Sequence, residues 1–275
     1  MILDQEVRNE ITTNGIKNIA ISASAGCGKT TILKSKIKHV IEEIENHKTV
    51  VAITFTIKAT EELKERILKL NIDKQVVIST NDSFVENEII RPFLKDILIE
   101  QGKGDFTVSY SKTHKFKDFD GGITLLREKN LLGTYYNTHK NFKFQLALDI
   151  LKNSLAARQY LISKYKMLFL DEYQDSDEDM HNLFMYIKDN LGLFLFIVGD
   201  PKQAIYLWRG AKENIFDSLD SSFSKFELVH NFRSHPNITN FANLIHNDGY
   251  MENKCEILND EVQIINSDNF LESII

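Results

Sequence analysis

Proline is scarce in this 275-residue chain, with three residues, and 43% of the side chains are hydrophobic against 26% charged. That balance excludes a disordered or low-complexity protein and allows a sizeable buried core. The two cysteines, Cys27 and Cys255, make no disulfide framework. No apolar run approaches the ~20 residues that a membrane span requires. The N-terminus, MILDQEVRNE, lacks the basic region followed by an apolar one that marks a signal peptide. Positive charge is lacking overall, at net −6, which argues against a surface coated for nucleic acid. These absences lead to the expectation of a soluble, reduced, cytoplasmic protein with no membrane association. Its length suits one large α/β domain, or one domain carrying an insertion.

What is present centres on residues 18–31, NIAISASAGCGKTT. A short apolar run turns through small residues directly into a segment with Ile32, Leu33, Ile37, Val40, Ile41 and Ile44 at helical spacing. A helix entered this way points its first N–H groups, and the positive end of its dipole, at the loop. Phosphate is the expected guest. In the P-loop pattern G-x-x-x-x-G-K-S/T the lysine reaches the β- and γ-phosphates and the hydroxyl binds Mg²⁺. Lys29 and Thr30 take those positions, with Ala23 in place of the first glycine and Gly26 and Gly28 supplying flexibility. The nucleotide-binding set is therefore Ala23, Ser24, Ala25, Gly26, Cys27, Gly28, Lys29, Thr30 and Thr31, with ATP and Mg²⁺ as cofactors. Farther on, the apolar strand pattern MLFLD runs into LDEYQDSD. Asp171 at the strand's end can hold the metal, and Glu172 beside it can orient and deprotonate water. Asp177 is placed to cap the helix that follows.

Further strands are expected over TVVAITFT (49–56), 75–80, 193–198 and 226–230, and one long helix over 141–165 with an apolar stripe of Phe144, Leu148, Leu151, Leu155 and Leu161. Between Gln101 and Gln145, eight Lys/Arg face four acids, a local +4 that leaves the remainder at −10. Eight aromatics are interleaved there. They suit either backbone tracking with base stacking or a small core of the insertion's own.

The A-x-A-G-x-G-K-T loop, TFT-x-KA-x-x-E-x-x-x-R from Thr54, DEYQD, GDPKQAIYLWRGA (199–211) and NFRS (231–234) occur in this order. Together they resemble the N-terminal motor domain of UvrD/Rep-like superfamily 1 DNA helicases. A P-loop kinase or transporter ATPase would leave YLWRG and NFRS unexplained. The resemblance implies an α/β fold, a RecA-like P-loop NTPase domain whose parallel sheet is flanked by helices, with a helical insertion of the 1B type. Residues 1–85 would form the first part of the motor, 86–165 the mostly helical insertion, and 166–275 the second part. It also implies that Gln5 recognises adenine, although an exposed glutamine at a helix start is the plainer alternative. By the same resemblance Gln203 senses the γ-phosphate and Arg233 is an arginine finger. DNA would be met by Thr54, Phe55, Thr56, Tyr206, Trp208 and Arg209. Two departures stand out: Ile57 replaces the usual asparagine, and TNDSF (80–84) replaces TFHSF, which places the acid Asp82 near the expected DNA path.

Residues 79–93, 131–137, 140–160 and 171–191 further resemble the helicase-like subunit of the Gabija anti-phage defence system. That likeness implies DNA, single-stranded or as ends, and an OLD-family nuclease with a TOPRIM domain as partners in a hetero-oligomer. The family's second RecA-like domain, with motifs V and VI, is absent from the 275 residues. The expectation is a truncated form or fragment, or a partner chain that supplies the second jaw. A docking module that holds or regulates the nuclease without unwinding DNA is the alternative function.

Overall fold

A computed structural model describes residues 2–239, except 71, 99–104, 208–209 and 213. Its frame is a sheet of six strands: β1 (Ile19–Ala23), β2 (Thr49–Thr54), β3 (Val77–Thr80), β8 (Tyr165–Leu170), β9 (Phe194–Gly199) and β10 (Ser224–Leu228). They lie in the order β10-β1-β9-β8-β2-β3. Every pairing is parallel. A parallel sheet covered on both faces makes its central strands apolar on both sides, and β2, β8 and β9 are buried nearly throughout. Alternate residues feed two cores. Val50, Ala52, Met167, Phe169, Phe196 and Val198 face one; Val51, Ile53, Leu168, Leu170, Leu195 and Ile197 face the other.

The first core is closed by α1 (Gln5–Thr13), α2 (Lys29–Glu43) and α3 (Ile57–Leu68). The second is closed by α4 (Asn81–Val85), α7 (Phe142–Asn153) and α9 (Glu178–Leu191). Asp177 caps α9 by accepting from the Met180 N–H at 2.8 Å, as the sequence leads one to expect.

Between β3 and β8 the chain builds the insertion. A π-helical turn, Glu86–Ile90, joins α4 to α5 (Arg91–Phe93). Then come two-residue parallel pairs, β4 (Thr107–Val108) with β6 (Leu131–Leu132) and β5 (Lys115–Phe116) with β7 (Thr134–Tyr135), around α6 (Phe119–Lys129). The insertion is not a separate body, because Phe116, Leu126, Phe142 and Phe144 belong to the same core as β8 and β9.

Two expectations need correcting. The single helix over 141–165 is two helices, α7 and α8 (Leu155–Lys164), because Ser154 adopts an extended backbone and caps α8 through the Ala157 N–H at 3.0 Å. Leu155 therefore leaves the apolar stripe and is 59% exposed. Of the interleaved aromatics, Phe106, Phe116, Tyr135, Phe142 and Phe144 are buried, whereas Tyr110 and Tyr136 are exposed. Most of that segment's aromatic content is core. Cys255 lies outside the described residues. Among the described residues no helix is long and apolar enough to cross a membrane.

Candidate nucleotide site

The C-terminal ends of β1, β8, β9 and β10 converge on one edge of the sheet, where open α/β sheets bind ligands. From Ala23 the chain turns through Ser24–Gly28 and enters α2 at Lys29. Gly26 and Gly28 both adopt left-handed backbone, φ 74° and 82°. A side chain at Gly26 would also collide with Asn231, whose Oδ1 would lie 2.7 Å from the added Cβ. Glycine is required there twice over, by conformation and by close approach.

Lys29 Nζ lies 3.5 Å from the Ala23 carbonyl and 3.7 Å from Glu172 Oε2, so the loop lysine faces the acidic pair at the end of β8. Asp171 is held by its N–H to the Ile53 carbonyl at 2.9 Å, which registers it against β2. Burial, and then the neighbouring Glu172 charge, push the Asp171 carboxyl up to about 7. A cation between the two carboxylates would reverse that shift. Glu172 itself has φ 51°, a left-handed conformation that a non-glycine residue rarely adopts. A glycine-rich turn opening directly into a helix N-terminus, a lysine with only long contacts, a hydroxyl at Thr30 and two adjoining carboxylates form a donor set that suits a magnesium-bound triphosphate.

The structure adds residues that motif spacing does not reveal. Gln174, buried, donates to Glu172 Oε2 at 2.9 Å and accepts from the Asp200 N–H at 2.9 Å. Asp200 in turn accepts from Gln203 Nε2 at 2.6 Å. Gln203 is thus connected to Glu172 by a continuous polar chain. On the other side, Asn231 Nδ2 donates to the Ala25 carbonyl at 2.7 Å, and the Phe232 N–H donates to the Gly26 carbonyl at 2.9 Å. These bonds lay residues 231–233 across the phosphate loop and bring Arg233, exposed, beside Gly26. The crossing is anchored from α1. Asp4 holds Arg8 at 2.6 Å and accepts from the Val229 and His230 N–H groups, and the Arg8 guanidinium lies 5.0 Å from the centre of the Phe232 ring. The only sequence signal for this clamp is the i, i+4 spacing of Asp4 and Arg8. Gln5 stands next to it, exposed, with its amide donating to Asn9.

The expected DNA contacts divide. Phe55 and Tyr206 come together as a stacked pair, centroids 5.2 Å apart and planes 23° from parallel. Both line a cavity of about 730 Å³ between the motor edge and the insertion. Thr56 lines it too, although its hydroxyl already caps α3 through the Ala59 N–H at 3.1 Å. Thr54 is a correction. It is 1% exposed, and its hydroxyl is engaged with Thr60 Oγ1 and the Thr56 carbonyl, so it shapes the turn and meets no external ligand. Trp208 and Arg209 lie outside the described residues.

A family model described as AAA domain matches residues 8–209. The chain is 49% identical over 257 residues to Gabija protein GajB of Bacillus cereus (strain VD045), covering 92% of this chain and 51% of that protein. It is 29% identical to a probable DNA helicase II homolog of Mycoplasma capricolum subsp. capricolum, over 86% of this chain and 40% of that one. ATP-dependent DNA helicase Rep of Buchnera aphidicola subsp. Baizongia pistaciae is 27% identical, over 85% and 42% respectively. Among solved structures, a Pif1 helicase from a study of unwinding at forked double-stranded DNA matches with a TM-score of 0.39 at 17% identity, covering 90% of this chain and 48% of that one. The chain spans about half the length, or less, of these relatives.

Proposed function

The chain belongs to the AAA-domain family and, within it, to the UvrD-like helicases, and on that premise we propose that it is the ATP-binding motor portion of a helicase-like subunit that engages DNA in anti-phage defence. The observation that carries this reading is the approach of Lys29, at the start of α2, to within 3.7 Å of Glu172 beside Asp171. In the proposal the loop amides from Ala25 to Thr31 and Lys29 hold the β- and γ-phosphates, while Gln5 and the Asp4–Arg8–Phe232 clamp flank the base. Thr30 and Asp171 hold Mg²⁺, which draws charge from the phosphates when bound. Glu172 orients and deprotonates the attacking water. Gln203 registers the γ-phosphate, and Arg233 neutralises charge as the bond breaks.

DNA, single-stranded or as an end, is met by Phe55, Thr56, Tyr206, Trp208 and Arg209. Aromatic faces stack on any base, at ~1 to 3 kcal/mol per base, which suits an enzyme indifferent to sequence. The finer reading is a cytoplasmic hetero-oligomer in which ATP turnover is coupled to an OLD-family nuclease. It is supported by the Gabija-like segments and the 49% identity to GajB.

Titrating a fluorescent ATP analogue with Mg²⁺ against the wild type and Lys29→Ala tests the central claim. The variant is expected to bind at least about tenfold more weakly, since a charge-assisted phosphate contact contributes roughly 1.5–3 kcal/mol. Equal affinities would remove the nucleotide site from Lys29.

A further inference from the structure

Asp82 places a carboxylate on the cavity wall between motor and insertion, where an approaching phosphodiester would be repelled. The structure answers that charge by direct contact. Lys143, on α7 of the insertion, is 7% exposed, and its ammonium lies 3.1 Å from Asp82 Oδ2, 3.4 Å from Glu86 Oε2 and 3.5 Å from the Tyr110 hydroxyl. Burial alone would depress that ammonium, but Asp82, Tyr110 and Glu86 outweigh it and raise its pKa. Glu86 has a second cation, Arg91, whose Nε donates to it at 3.1 Å. For Asp82 the described residues supply Lys143 alone. The cavity lining carries four acids, Asp82, Glu86, Asp175 and Asp177, against three lysines, Lys115, Lys140 and Lys143, so losing Lys143 would deepen its negative charge.

We infer that Lys143 is a positioning residue for DNA: by neutralising Asp82 and tying α7 to α4 it makes the cavity between motor and insertion passable to a single strand. The inference rests on the DNA reading proposed above. A buried ammonium so paired costs heavily when only one partner is removed, which makes the pair testable as a pair.

The test is fluorescence anisotropy of a fluorescein-labelled single-stranded oligonucleotide titrated with the purified chain, at low and at moderate salt. Lys143→Met is expected to bind at least about tenfold more weakly at low salt, with the deficit shrinking as salt screens Asp82. Lys143→Arg, which keeps the charge, should stay within about threefold of wild type. Asp82→Asn alone should bind at least as tightly as wild type. In the Asp82→Asn background, Lys143→Met should cost less than about threefold, because the charge it answered is gone. Equal loss in both backgrounds would reduce Lys143 to a structural strut and overturn the inference. So would wild-type affinity in Lys143→Met, or weakened binding in Asp82→Asn. An oligonucleotide that fails to bind the wild type overturns the inference together with the DNA reading, whereas the other three outcomes overturn the inference alone.

Discussion

Gln174 shows how much of this site depends on side chains that never touch the expected nucleotide. Its amide spends both ends internally, donating to Glu172 and accepting from the Asp200 backbone. Gly199 is required beside it, since a Cβ there would fall 2.3 Å from Gln174 Oε1. Gln174→Leu would leave the buried Asp200 N–H unpartnered, at a cost of roughly 1–3 kcal/mol readable by urea unfolding. It should also slow ATP turnover by about tenfold or more while leaving ATP-analogue affinity within about threefold, because it releases Glu172 and not the phosphate loop. Unchanged turnover would disconnect Gln174 from Glu172. Asp175, on the same turn, offers a pH test. Burial, and next the Glu172 charge, push its carboxyl up to about 6 from 3.8. Between those two values the folded state keeps a proton that the unfolded state has lost, so stability falls as pH rises through the window. Asp175→Asn should abolish that part of the fall. After discounting for solvent screening at this half-open site, the gain is about 1 kcal/mol at pH 7. Melting curves of the two proteins at pH 4 and pH 7 would decide it: parallel falls would mean that Asp175 titrates normally.

At the scale of elements, the break between α7 and α8 turns on one hydroxyl. Ser154 donates to Asp96, from the other side of the insertion, and caps α8 through the Ala157 N–H. Ser154→Ala should cost about 1 kcal/mol in unfolding free energy, the usual worth of an N-cap, without altering nucleotide binding. The same position explains why the sequence misleads there: leucine spacing carries a helical period straight through residue 154, and the competing bond to Asp96 comes from nearly 60 residues away. The four inner strands of the sheet, β1, β2, β8 and β9, were legible because burial on both faces makes them apolar runs, each stopped by a motif loop. The phosphate loop and the acid pair were legible for the same reason. The two-residue strands of the insertion carry no period to detect. Nor could spacing show that Asn231 and Phe232 lie across the Gly26 loop, or that Thr54 points inward, since both follow from tertiary contacts.

For the molecule as a whole, the two halves of the site are joined by one path. Tyr206 stacks on Phe55 at the cavity, and three residues earlier Gln203 is bonded to Asp200, which meets Gln174 and through it Glu172. In the DNA reading proposed above, a base entering at Phe55 would displace or extend this stack, three residues from Gln203. If binding at one end changes affinity at the other, both change by a common factor, since linkage between two ligands is reciprocal. DNA affinity measured with and without a non-hydrolysable ATP analogue, and analogue affinity measured with and without single-stranded DNA, should change by the same factor, roughly 5- to 150-fold if the coupling is of ordinary size. Phe55→Ala should weaken DNA binding by ~1 to 3 kcal/mol and shrink that factor, leaving analogue affinity without DNA unchanged. ATP turnover should rise on adding DNA in the wild type and not in Phe55→Ala. A docking module that merely holds a nuclease predicts a factor of one and turnover indifferent to DNA, so the same set of titrations separates a motor from a scaffold.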